Sequence, residues 1–187
     1  MCGRYYRRSD KQRIAEAFHL GTLDDIPLEA APSYNIAPTT MQPAIRNNRD
    51  TGEREMVAMR WGMVPNFAKS LADFKGFSTI NAKAETLLSK PLWRVPFHRR
   101  RCLVPADGFY EWKRLDEKTK QPYAFALRSG EPFAFGSLGR MERPRDRRLA
   151  PELQHRHHRP QRTHRERTRP NARDIEAVRL RPMAGSR

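Results

Sequence analysis

A break in character at residue 140 bounds what this chain can fold into. Residues 140–187 contain no Phe, Tyr or Trp, and only 11 of the 48 are apolar. They hold 15 arginines and no lysine against six acids, with His155, His157, His158 and His164 set among Arg and Pro. No helical or strand period survives there, and such a segment buries too little surface to offset the entropy of ordering it. The core must come from residues 2–139, and the tail is expected to be irregular. Two readings account for it. One is a basic, disordered nucleic-acid-binding extension. The other is a translation out of frame from about residue 139, favoured because arginine without lysine suits a GC-rich strand read in the wrong frame.

The 187 residues suit one domain. The start, Met-Cys-Gly-Arg-Tyr-Tyr-Arg-Arg, has no apolar stretch of a signal peptide behind it. No apolar run approaches the roughly 18–20 residues of a membrane span. A soluble, cytoplasmic protein is expected. Cys2 and Cys102 are the two cysteines, too few for a disulfide scaffold. The net charge of +16 points to an anionic partner, most simply nucleic acid. The tail supplies +9 of it and residues 1–139 only +7, so the case for DNA rests on the smaller figure.

Within residues 1–139 helical segments are few and strands many. Ser9 to Gln12 has the form of a capping box, and Ile14, Ala17 and Phe18 recur at helical spacing, so a helix is predicted over about 10–20 with Gly21 as its stop. Met56 to Trp61 alternates like a strand. Arg101 to Val104 and Phe109 to Lys113 read as two strands joined by Pro105-Ala106-Asp107-Gly108, residue types that suit a tight turn. Tyr123, Phe125 and Leu127 share a face of a further strand, and Ser129-Gly130 turns it toward Phe133 and Phe135. The pattern predicts an α+β fold, mostly antiparallel sheet, with a barrel-like β core and a few helices.

Cys2 carries the first chemistry. With Met1 removed, the chain starts with an amine and a thiol on one residue. The amine, of pKa near 8, is partly neutral at pH 7 and condenses with aldehydes to an imine. The thiolate then adds to the imine carbon and closes a thiazolidine ring. A Cys after the initiator is most often chance, so its context decides.

That context is five ordered blocks. Cys2-Gly3-Arg4-Tyr5 is followed by Asn35-Ile36-Ala37-Pro38-Thr39 and Arg60-Trp61-Gly62-Met63-Val64-Pro65. Then come Ile80-Asn81-Ala82-Lys83-Ala84-Glu85-Thr86 and Arg101-Cys102-Leu103-Val104-Pro105-Ala106-Asp107-Gly108-Phe109-Tyr110-Glu111-Trp112. Together they resemble the SOS-response-associated peptidase family, the abasic-site-processing proteins, over about residues 2–138. The resemblance implies release of the initiator Met and crosslinking of the new N-terminal Cys to the ring-opened aldehyde of an abasic site in single-stranded DNA. Such a protein is a self-processing peptidase with lyase-like, DNA–protein crosslinking activity in the response to DNA damage. No cofactor or metal is implied, no membrane partner, and a monomer is expected.

By the same resemblance Cys2 fits the nucleophile, Asn81 the residue that positions Cys2 and the sugar, and Glu111 the proton-transfer residue. Imine formation moves protons to and from the carbinolamine oxygen, work suited to a partly buried carboxyl. Read without the family, Glu111 is a strand carboxylate sharing a face with Phe109 and Lys113, and Asn81 an N-cap for residues 82–88. Arg4, Lys83, Arg100 and Arg101 are candidates for phosphates; Lys83 stands where the family often has Arg, which weakens bidentate contact. Trp61 and Pro38 are candidates for stacking on bases, or else a core residue and a loop former. The family's downstream His, in a His-x-Arg-Met-Pro-like block, has no counterpart here, and the tail histidines lack that context. No paired Cys flanks them at zinc-ligand spacing. A second reading, from another class, is a non-enzymatic basic nucleic-acid binder or an inactive, truncated relative. A peptidase acting on other proteins is disfavoured, since no Ser-His-Asp or zinc-peptidase arrangement is present.

Overall fold

The computed structural model describes residues 3–21, 30–64, 79–140, 152–157 and 175–179, the last two segments as backbone. Cys2 and the histidines His158 and His164 lie outside the described residues. In chain order the elements are β1 (Arg4–Arg7), α1 (Lys11–Phe18), β2 (Ser33–Ile36), β3 (Met41–Asn47), β4 (Arg54–Trp61), β5 (Asn81–Lys83), α2 (Pro91–Arg99), β6 (Arg101–Ala106), β7 (Gly108–Arg114), β8 (Lys120–Leu127), β9 (Phe133–Arg140), β10 (Glu152–His157) and β11 (Ile175–Arg179). They form a five-stranded sheet in the order β11-β8-β7-β1-β2 and a six-stranded sheet in the order β4-β3-β6-β9-β10-β5. The α+β class and the mostly antiparallel pairing follow the sequence pattern. The core lies between the two facing sheets, the larger of which is barrel-like in its curl. The larger sheet curls, so that β10 also meets β4 at Glu152↔Arg60 and Leu153↔Trp61.

Apolar alternation decides which faces meet. Tyr5 and Ile36 from the smaller sheet pack with Ala44, Met59, Trp61, Cys102, Val104 and Ala106 from the larger one. Phe109, Phe133 and Phe135 join them, Phe109 and Phe135 at 6.0 Å and near right angles, an edge-to-face geometry that suits the ring quadrupoles. The helices cover the other face of the larger sheet. α1 buries Ile14 and Ala15 against Ile45 and Met56. α2 buries Trp93 with Met63, Ala82, Leu87 and Leu138, which holds a helix that Pro96 interrupts and that no side chain caps.

Several local expectations change. Asp10, not Ser9, caps α1, its side chain accepting from Arg13 N at 2.9 Å; Ser9 is drawn away to donate to Asp107 at 2.6 Å. The helix stops at His19 in the left-handed region, φ 54°, ahead of Gly21. Pro105 to Gly108 is not a hairpin turn. β6 pairs with β3 and β9, whereas β7 pairs with β1 and β8, so the chain changes sheet at Asp107. Ser129-Gly130, with Gly130 at φ 73°, likewise leads from β8 in one sheet to β9 in the other. The tail, expected to be irregular, contributes two strands: β10 lies between β9 and β5, and β11 pairs antiparallel with β8. The reason lies in the partners. β9, β5 and β8 present backbone donors and acceptors that any extended segment can satisfy, whatever its side chains.

Candidate active site

β1 delivers the chain's N-terminal end to β7. Arg4 lies opposite Tyr110 and Tyr5 opposite Phe109, so Gly3 is next in register to Glu111. Cys2 itself is outside the described residues, but a peptide bond ties it to Gly3, about 3.8 Å between Cα atoms. Glu111 is half-buried, on the face of β7 that carries Phe109 toward the core, and stands opposite Tyr123 of β8. Its place on a strand, with Tyr110 and Trp112 turned the other way, follows the sequence pattern.

Asn81 is on a strand, not at a helix N-cap. β5 holds it half-buried, with its Oδ1 withdrawn from solvent, and the 3-10 turn Ala84–Thr86 begins from Lys83 without a side-chain cap. Strand geometry wins because β5 has a neighbour to pair with: His155, Arg156 and His157 run parallel to Asn81, Ala82 and Lys83. Ala82 turns to the α2 cluster, so alternation places Asn81 and exposed Lys83 on the opposite face. The same register sets the backbone of His155 between Asn81 and Ser137.

Trp61 corrects an expectation. It is fully buried in the inter-sheet core, 5.6 Å from the Tyr5 ring, and offers no face for a base. Its indole N–H donates to the Ile80 carbonyl at 2.9 Å, which fixes the backbone one residue before Asn81. Trp61 is therefore a core residue tied to the strand that carries Asn81, a contact for which the sequence carries no signal. Pro38 is half-buried on a tightly held loop. Thr39 N donates to Trp61 O at 2.8 Å, Trp61 N to Thr40 O at 3.0 Å, and Thr40 Oγ1 to Ala37 O at 2.7 Å. Thr39 pays for this with φ 71°, a left-handed conformation that a β-branched residue seldom adopts.

Beneath the loop lies a buried polar group that the sequence reading missed. Arg7, 1% exposed, donates to Gln42 Oε1 at 3.1 Å and to Ala31 O at 2.8 Å, while the Tyr5 hydroxyl donates to the same Gln42 oxygen at 3.3 Å. Burial lowers the Arg7 pKa from its usual value. Its signal was Tyr5-Tyr6-Arg7-Arg8, which looks like a charged run but sends alternate residues to opposite faces.

The phosphate candidates divide. Arg4 is half-buried on β1 opposite Tyr110, on the face of the sheet away from Glu111, and Lys83 is exposed on β5 on the same face as Asn81. Half-buried Arg100 and exposed Arg101 lie at the α2–β6 junction, where β9 and β10 stand between β6 and β5. They do not join the Asn81 end of the sheet. Cys102 is buried, and that burial pushes its thiol up to about 12, so it stays protonated and inert. Among the described residues no group of His, Cys, Asp and Glu is placed to hold a metal ion, and no helix is long and apolar enough to cross a membrane.

These elements define a two-sheet α+β domain whose N-terminal strand opens beside a carboxylate. The family model for SOS response associated peptidase (SRAP) matches residues 1–156, and the chain belongs to that family. It is 43% identical over 139 residues to "Abasic site processing protein YoqW" of Bacillus subtilis, covering 74% of this chain and 59% of the relative. To "Abasic site processing protein HMCES" of Pongo abelii it is 35% identical over 127 residues, covering 63% and 36%. The chain thus spans about three-fifths of the Bacillus relative's length. The crystal structure of a phage-related protein from Bordetella bronchiseptica is similar with a TM-score of 0.64 and 30% identity, over 83% of this chain and 68% of that one.

Proposed function

We propose that this chain processes abasic sites in DNA, linking its N-terminal Cys2 covalently to the lesion after removal of Met1. The amine of Cys2 condenses with the aldehyde of the ring-opened sugar, water leaves, and the thiol adds across the imine to close a thiazolidine. Glu111 carries protons to and from the carbinolamine oxygen. Asn81 orients Cys2 and the sugar. Arg4 and Lys83 engage phosphates, and the substrate is single-stranded, where no complementary strand screens the ring-opened sugar. The protein acts as a cytoplasmic monomer in the response to DNA damage.

One observation supports this reading: the β1–β7 register, extended one residue past Arg4↔Tyr110, brings Gly3 level with half-buried Glu111. The relatives' names support it, as does the chemistry of Cys102, which is held protonated in the core and leaves Cys2 as the one reactive thiol.

Single-stranded DNA with one abasic site, incubated with the protein and run on a denaturing gel after heating, tests it. A shifted band on damaged DNA alone, lost in Cys2→Ala and slowed at least about tenfold in Glu111→Gln, is the expected result. Salt-sensitive binding to damaged and undamaged DNA alike, with no covalent band, would instead identify a basic nucleic-acid binder.

A further inference from the structure

The outer face of the smaller sheet carries aromatic rings that the site above does not use. Tyr34 of β2 is 66% exposed and Trp112 of β7 is 44% exposed, with half-buried Tyr6 and Tyr110 between them. Tyr6 lies 5.4 Å from Tyr110 and 6.2 Å from Tyr34, nearly parallel to the latter at 13°. The Tyr110 hydroxyl donates to Tyr34 O at 2.9 Å, which fixes the ring across the β1 strand. Tyr6 lies over Gly108 so closely that a Cβ there would fall 2.3 Å from its ring; the glycine is what lets the ring lie against the sheet. Burial raises the pKa of both Tyr6 and Tyr110, so both rings stay neutral. Neither helix reaches this face, because α1 and α2 pack on the larger sheet.

Charge selects the occupant. Arg4, opposite Tyr110, shares the face, and Arg8 continues the alternation with its side chain about half exposed. Asp107, the carboxylate that acts on Tyr6, is turned inward at 1% exposure and accepts from the backbone N–H groups of Arg8 and Ser9; it also lies 3.7 Å from the Arg8 guanidinium, which donates to Gly130 O and keeps about half of its side chain exposed. A second copy brings the same net +16, which disfavours it here against an anion. Planar rings between cations suit unpaired bases on a phosphate backbone, because every base has a face to stack and every phosphate a charge to neutralise.

We infer that Tyr6, Tyr34 and Tyr110, flanked by Arg4 and Arg8, form a stacking platform for single-stranded DNA. The occupant follows the nucleic-acid reading above, but the platform needs neither Cys2 nor a lesion. It gives the strand a track on the outer face of β2, β1 and β7.

The test uses the full chain and undamaged oligo-thymidine, so that no covalent step intervenes. Quenching of Trp112, which is exposed where Trp61 and Trp93 are buried, reports occupancy of this face. Tyr34→Phe should bind within about twofold of wild type, and Tyr34→Ala roughly 5- to 100-fold more weakly. Tyr34→Ala/Tyr110→Ala should bind more weakly still, with circular dichroism confirming the fold. Duplex of the same sequence should bind worse than the single strand. Alanine variants that bind like wild type would overturn the platform, as would a Tyr34→Ala effect confined to sedimentation, which marks a contact between copies. Oligo-thymidine binding that depends on Tyr34, without a covalent band on damaged DNA, would keep the platform and sink the crosslinking reading. A covalent band with indifferent alanine variants would do the reverse.

Discussion

Asp107 sits where the chain leaves one sheet for the other, and its carboxylate ties that corner to the start of the molecule. It accepts from the backbone N–H groups of Arg8 and Ser9, both at 2.9 Å, and from the Ser9 hydroxyl at 2.6 Å. Three donors on one buried carboxylate are charge-assisted and cannot find water if it is removed. Asp107→Ala should therefore cost about 3 kcal/mol in urea unfolding, with Asp107→Asn costing less because one acceptor oxygen remains; a loss under about 1 kcal/mol would show the corner is held by packing instead. Cys102 gives a second prediction at this scale. In the fold its thiol keeps its proton to about pH 12, against an ordinary 9.0. Between those values the unfolded chain gives up a proton that the native state retains, so this contribution to stability is complete below pH 9 and is lost as pH rises toward 12. Against Cys102→Ala, wild type should lose on the order of 1.4 kcal/mol of extra stability per pH unit across that window. Urea midpoints measured from pH 8 to 11 check it, and parallel slopes for the two proteins would refute it.

The loop between β2 and β3 shows what an element can impose on its residues. Hydrogen bonds to both Thr39 and Thr40 close it onto the end of β4, and Thr39 is driven into the left-handed region as a result. Thr39→Gly should relieve that strain and raise stability by up to about 1 kcal/mol, the glycine's own entropy offsetting part of the gain. The same change should loosen Pro38 and slow DNA crosslinking. Unchanged stability with unchanged crosslinking would mean that the strain stores nothing of use. The sequence block Asn35 to Thr39 singled out this loop, but nothing in it signalled a left-handed threonine, because the cause is the distant backbone of Trp61. Sequence period served well for elements with one buried face: β4, β7 and β8 lie where alternation put them. It failed where a partner strand overrode local preference. Asn81 has the residue type of a helix cap, yet β10 pairs with its strand; Ser9 has the residue type of an N-cap, yet Asp107 claims its hydroxyl.

At the scale of the whole molecule, the tail strands link charge and architecture. β10 joins β9 to β5, the strand of Asn81, so a chain ending at Gly139 would expose the edges of both. Such a truncation should aggregate more readily and lower the thermal midpoint by several degrees or more. It should also slow crosslinking beyond what the loss of nine net charges explains, measured by repeating the assay at matched DNA occupancy. A truncated chain as soluble and as active as the full one would show that β10 is dispensable.

The chain by itself determined the fold class, the faces of β4, β7 and β8, and the five blocks around Cys2, Asn81 and Glu111; on α1 it placed Ile14 in the core but took exposed Ala17 for buried Ala15. All of these are local, written in period and residue type along the chain. Only the tertiary structure decided that Trp61 is a core residue, that Pro105 to Gly108 crosses between sheets, that Arg7 is buried while Arg8 is not, and that tail segments become strands. Each of those depends on backbone donors, acceptors or apolar surface supplied from tens of residues away. A single chain position carries no record of the partner it will meet.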